Sequence, residues 1–87
     1  MIKSWSDEAW EDFLYWHKQD KKTLKRIFQI LQDIDRNGYD GIGKPERLSG
    51  ELSHYWSRRI DDCNRIVYRI EGETILIVQC GSHYGDK

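Results

Sequence analysis

A few side chains in this 87-residue sequence are of the types that can together break a phosphodiester bond. Glu46 follows Lys44-Pro45 inside the glycine-rich stretch GYDGIGKPERLSG. Proline fixes its own φ and restricts the residue before it, so the backbone entering Glu46 is stiffened. A carboxylate held there near several cations is suited to accepting a proton. Arg59 and Arg65 carry planar guanidinium forks that match phosphate oxygens, and adjoining strands could aim both at one point. His83, near the end of the chain, has an ordinary pKa of ~6.5 and can give or take a proton near neutrality; Tyr84 follows it. Base, charge stabilisers and general acid are the parts of a metal-free phosphodiester site. Plainer readings stand beside this one. Glu46 can pair with Lys44 or Arg47 on the surface, and a terminal His83-Tyr84 can be without a role.

The elements that must position these groups follow from periodicity. IKSW is a short strand candidate. Ser6 is a helix N-cap with Asp7 and Glu8 in the first turn, and Trp10, Phe13, Leu14 and His17 recur at helical spacing. Asp20 starts a second helix whose apolar stripe is Leu24, Ile27, Phe28, Leu31 and Ile34, with Gly38 after its end. Residues 38–50 read as a long loop with no element of its own, a length that usually signals function or disorder. Beyond it the period changes to two. HYWSRRI and NRIVYRI alternate, Glu71-Gly72-Glu73 is a turn, and TILIVQC is a more continuously apolar last strand. The order β-α-α-β-β-β predicts an α+β fold, a small, mostly antiparallel sheet with two N-terminal helices on one face. The other face is left for polar side chains. Arg58 and Arg69 are expected on that solvated face together with Arg59 and Arg65.

The totals set the limits. At 87 residues the chain is one small domain, residues 1–87, because it cannot divide its apolar side chains between two cores. Fourteen basic and fifteen acidic residues nearly cancel, so no global charge draws the chain to a polyanion, and any such site must come from local clustering. Residues 44–69 hold six basic and four acidic side chains. The sequence has no export signal and no apolar run of the ~18 residues a membrane span needs. It predicts a soluble, cytoplasmic protein with reduced thiols at Cys63 and Cys80. Cys80 and His83 have the spacing of half a zinc site, but a second ligand pair is missing, so no metal or other cofactor is expected. The four tryptophans read chiefly as core, Trp10 above all, rather than as stacking platforms for bases.

The run GKPERLSGELSHYWSRRIDDCNRIVYRI, preceded by WSDEAWEDFLYW and followed by SHY, closely resembles the YoeB toxins of bacterial type II toxin–antitoxin systems, in the wider RelE/ParE group. The resemblance spans residues 1–84. It implies the RelE-like microbial ribonuclease fold and a ribosome-dependent endoribonuclease that cleaves messenger RNA in the ribosomal A site, inhibiting translation. Carried over position by position, Glu46 resembles the general base that takes the ribose 2′-hydroxyl proton. Arg65, supported by Arg59, is similar to the arginines that stabilise the phosphorane-like transition state. His83 looks like the general acid for the departing 5′ oxygen, Tyr84 like the tyrosine that orients substrate, and Lys44 adds a phosphate contact. The implied partners are a cognate Phd/YefM-like antitoxin, the bacterial ribosome and its message. DNA is met only indirectly, through the antitoxin, no membrane is involved, and a homodimer is possible.

Three departures from the family pattern stand out. Cys63-Asn64 replaces a common Glu-His pair before Arg65, removing a polar support for it. Gly85-Asp86-Lys87 extends past the His-Tyr at which familiar members end, and the overall charge is low for a ribosome-binding toxin. Two other functions compete with the ribonuclease. One is a catalytically weak toxin fold acting mainly as an antitoxin-binding corepressor; the other is an RNA-binding module without chemistry, which would have Glu46 pointing away from the arginines.

Overall fold

The computed structural model describes residues 1–82. In chain order it contains β1 (Ile2–Trp5), α1 (Asp7–Gln19), α2 (Lys21–Asn37), β2 (Glu46–Arg47), a short 3-10 turn at Gly50–Leu52, β3 (Trp56–Arg59), β4 (Arg65–Glu71) and β5 (Thr74–Gly81). The strands form one sheet in the order β1-β5-β4-β3-β2, antiparallel except for the parallel β1–β5 edge. This is the α+β arrangement expected from the change of period.

Both helices begin where their caps place them. The Ser6 hydroxyl accepts from the Ala9 amide at 3.1 Å, with Asp7 and Glu8 in the first turn, where the helix dipole favours acids. Asp20 accepts from the Lys22 and Thr23 amides and from the Thr23 hydroxyl, and these bonds, the hydroxyl's first, hold its carboxyl below the usual carboxylate range. Gly38, at φ 64°, ends α2 in a backbone region costly for any side chain, and its amide closes the last turn on the Ile34 carbonyl.

Ile27, Ile30 and Ile34 of α2 and Ala9 of α1 pack on Ile66, Tyr68, Ile75, Ile77 and Cys80 of the sheet. Burying each isoleucine contributes about 2 kcal/mol. The α1 stripe differs in phase from the sequence reading, whereas Leu24, Ile27, Leu31 and Ile34 of α2 are buried as expected. On α1 the core side is Ala9, Phe13 and Trp16, while Trp10 and Leu14 are nearly half exposed. Alanine lets α1 sit close to the sheet, so the larger residues flank that contact instead of filling it. On α2, Ile30 is buried and Phe28 exposed, although Phe28 still lies 5.9 Å from the Phe13 ring. Trp10 stacks on Phe13 at 5.2 Å and completes an aromatic edge rather than the core.

The loop also carries more order than its composition suggests. Glu46 and Arg47 pair with Ser57 and Trp56, making β2 an edge strand, and Leu48 donates to the Tyr55 carbonyl at 3.0 Å. Among the described residues no helix is long and apolar enough to cross a membrane. Cys63 is exposed. Cys80 is buried, its thiol pushed up to about 12 mainly by desolvation and secondarily by Asp12, so it is inert at neutral pH.

Candidate active site

The sheet face turned away from the helices collects the candidate residues by register alone. Opposite residues of paired strands share a face, and side chains alternate along each strand. Glu46 lies opposite Ser57, and Arg59 opposite Arg65, which in turn lies opposite Gly81. Ser57 and Arg59 are two apart on β3, so Glu46, Ser57, Arg59 and Arg65 all look outward. Arg65 Nη1 donates to Ser57 Oγ at 3.2 Å and lies 3.6 Å from Glu46 Oε1. The carboxylate therefore points toward Arg65, not away from it.

The energetics of this cluster favour an incoming anion. Glu46 is 66% exposed, and an ion pair that open contributes about 0–1 kcal/mol, too little to hold the site shut. Arg59 and Arg65 are direct cross-strand neighbours, and like charges so placed repel. A phosphate between them would relieve that repulsion and gain charge-assisted hydrogen bonds.

Lys44 enters at φ 51°, the left-handed region that a side chain adopts only under constraint. The constraint is next door. The Arg59 amide donates to the Gly43 carbonyl at 2.6 Å, and a Cβ on Gly43 would lie 3.0 Å from the Arg59 carbonyl oxygen, so the two backbones touch. Lys44, Arg59 and Arg26 line an open cleft of about 330 Å³ that also receives Asp61 and Asp62.

Between β3 and β4 the chain turns on Asp61. Its Oδ1 accepts from the Cys63 amide at 2.8 Å and the Asn64 amide at 2.7 Å, and the Asn64 side-chain amide reaches both of its oxygens at 3.1 Å. Burial pushes the Asp61 carboxyl up, but bonds from Asn64 and Cys63 outweigh it, and the net shift is downward. Asn64 thus braces the turn that sets Arg59 against Arg65.

On the other side of Arg65, α1 staples the end of β5. Trp16 Nε1 donates to the Cys80 carbonyl at 2.7 Å, and the Cys80 amide donates to Asp12 Oδ2 at 3.0 Å. These bonds fix the strand at Gly81, opposite Arg65. His83 and Tyr84, expected as acid and substrate-orienting residue, lie outside the described residues.

Arg58 contradicts the sequence reading. It is not on the solvated face but is fully buried on the helix side of β3. Its guanidinium meets Asp33 Oδ2 at 2.5 Å, the Gly38 carbonyl at 2.7 Å, the Ile42 carbonyl at 3.2 Å, the Asp40 carbonyl and the Tyr68 hydroxyl. The alternation of HYWSRRI contained this result, because consecutive arginines on a strand must face opposite ways. Arg69 does face outward, paired with Glu71 at 2.6 Å and lying over the Tyr55 ring. Ser57, which links Glu46 and Arg65, was also not singled out, though the same alternation puts it beside Arg59.

A family model described as the YoeB-like toxin of bacterial type II toxin-antitoxin systems matches residues 5–84. Toxin RelK of Mycobacterium tuberculosis is 51% identical over 77 residues, covering 88% of this chain and 91% of its own. Toxin YoeB of Escherichia coli K12 is 44% identical over 80 residues, covering 92% and 95%. Among solved structures, the heterotetrameric YoeB-YefM toxin-antitoxin complex of Staphylococcus aureus superimposes with a TM-score of 0.92 at 44% identity, covering 97% of this chain and 98% of that one. The YoeB dimer of the same organism gives 0.90, with the same identity and coverage.

Proposed function

The chain belongs to the YoeB-like toxins of bacterial type II toxin–antitoxin systems, and from that premise we propose that it is a ribosome-dependent endoribonuclease acting on messenger RNA in the A site. The observation that carries the reading is the 3.6 Å approach of Glu46 to Arg65 on the open sheet face, with Ser57 beneath and Arg59 directly opposite. Glu46 takes the proton from a ribose 2′-hydroxyl, and the resulting alkoxide attacks the adjacent phosphorus. Arg65 and Arg59 stabilise the charge that develops on the phosphoryl oxygens, typically worth about 3 kcal/mol for one well-placed donor. His83 protonates the departing 5′ oxygen and Tyr84 orients the nucleotide. The products are a 2′,3′-cyclic phosphate and a 5′-hydroxyl. Attack by the 2′-oxygen restricts the substrate to RNA.

In this reading the protein works in the cytoplasm, and its resting partner is a YefM-like antitoxin, as in the staphylococcal complex; self-association follows the staphylococcal dimer. An acidic antitoxin segment complements Lys44, Arg59 and Arg65, so the complex is inactive. The test is to map cut sites on a message with the purified toxin, with and without 70S ribosomes. Cuts confined to the A-site codon and dependent on ribosomes are expected, and their loss on adding antitoxin. Ribosome binding with an intact message would favour the corepressor role, and cleavage of naked RNA at equal rate would remove the ribosome from the mechanism.

A further inference from the structure

β2 is only two residues long and pairs on one side only, so its own ladder is too short to fix Glu46. Downstream, Leu48 and Arg47 tie it to Tyr55 and Ser53. Upstream, Gly38–Gly43 crosses from α2 to the sheet with positive φ at Gly38, Gly41 and Gly43 and no regular structure of its own. The Tyr39 ring stacks on Trp56 and its hydroxyl accepts from the Ile70 amide at 2.7 Å, and the Gly43 carbonyl accepts from the Arg59 amide. The backbone between them is held by the guanidinium of Arg58, which takes the Gly38, Asp40 and Ile42 carbonyls, while its counter-ion Asp33 takes the Ile42 amide at 3.0 Å. Asp33 is itself held by Asn37 at 2.8 Å. Tyr68 closes the ring, receiving Arg58 Nε and lying 3.2 Å from the Gly38 carbonyl.

Resting on the ribonuclease reading, we infer that the buried Arg58–Asp33 pair is a positioning device for the catalytic edge: it clamps the 38–43 crossing so that Lys44 and Glu46 arrive facing Arg59 and Arg65. The neighbouring arginines divide the labour through strand alternation. Arg59 faces the substrate side, and Arg58 faces inward to hold the segment that brings the base. An arginine serves here because five fixed donors can take several carbonyls and a carboxylate at once, which lysine cannot.

Gly41 offers a way to disturb the clamp without touching the core or the site. A Cβ there would stand 1.8 Å from Asp33 Oδ2 and 3.2 Å from Arg58 Nη1, at a φ of +117°. Gly72, at φ +59° with open space around it, carries a left-handed strain but makes no clash, and serves as the control. Single-turnover cleavage of ribosome-bound message is measured for the parent, Gly41→Ala, Asp33→Asn and Gly72→Ala, with ribosome half-saturation and amide exchange at Ile42 to Leu48. Gly41→Ala and Asp33→Asn are expected to lose about a hundredfold in maximal rate, the scale of a small misplacement of a catalytic group, with half-saturation unchanged within about twofold. Exchange at the bonded amides of Ile42 and Leu48 rises in the same variants, and Gly72→Ala matches the parent. Should Gly41→Ala not fold, Asp33→Asn decides. Cleavage by Asp33→Asn within threefold of Gly72→Ala, or a loss that lies entirely in ribosome half-saturation, overturns the inference. If the parent itself does not cut, the ribonuclease reading falls, and exchange alone then judges the clamp, unchanged protection in Asp33→Asn refuting it.

Discussion

Glu46→Gln is expected to slow cleavage of ribosome-bound message by about 10²–10⁴-fold, the range a positioned general base supplies, while leaving fold and ribosome affinity unchanged. The side chain is 66% exposed on an edge strand and its pairing with Arg65 is weak, so the isosteric amide costs the structure little. It cannot accept the 2′-hydroxyl proton. Expressed without antitoxin, the variant should be tolerated where the parent arrests growth. A thermal midpoint within a few degrees of the parent, measured on the same preparation, separates lost chemistry from lost fold. Full cleavage by Glu46→Gln would remove this residue from the mechanism.

Arg58→Met carries the largest expected effect on stability, about 3–5 kcal/mol. The substitution keeps an unbranched apolar stem but removes the guanidinium, leaving Asp33 without its cation and the Gly38, Asp40 and Ile42 carbonyls without their donor. Small domains hold only about 5–15 kcal/mol in total, so about a fifth or more of the stability goes, and denaturant midpoints should fall accordingly. The pH dependence follows from Asp33. The hydrogen bond from Arg58, outweighing desolvation, holds its carboxyl below the usual carboxylate range. A depressed carboxyl contributes stability that is present above its unfolded pKa and lost as pH falls through its folded one. The difference between parent and variant should therefore be full at neutral pH and shrink on acidification below about pH 4. A constant difference down to pH 2 would mean that the ion pair adds nothing beyond packing.

Much of this arrangement was legible in the residues. Ser6 and Asp20 cap the helices they were expected to cap, because side-chain caps are local and need no tertiary information. The change of period after Gly50 located β3, β4 and β5; the shared face of Arg59 and Arg65 follows from the pairing of β3 with β4, which sets the two opposite each other. The misses share a cause. The α1 stripe of Trp10, Phe13, Leu14 and His17 follows helical recurrence of large side chains, yet Ala9, with 0% exposure, marks the face of α1 closest to the sheet, a fact set by packing distance rather than hydrophobicity. Arg58 reads as a solvated residue in the sequence because nothing local announces that Asp33, twenty-five positions earlier, and three loop carbonyls will meet it. β2 was hidden for the same reason: a two-residue strand has no period, and only its partners Trp56 and Ser57 define it.

The most direct test of the proposed chemistry is a message carrying a single 2′-deoxynucleotide at the cleaved position, bound in the A site of an intact 70S complex and treated with the toxin. Attack by the 2′-oxygen predicts that the all-ribose message is cut to a 2′,3′-cyclic phosphate and a 5′-hydroxyl while the deoxy-substituted one stays whole. Scission of the deoxy-substituted message at that position, or a 5′-phosphate on the downstream fragment, would contradict it.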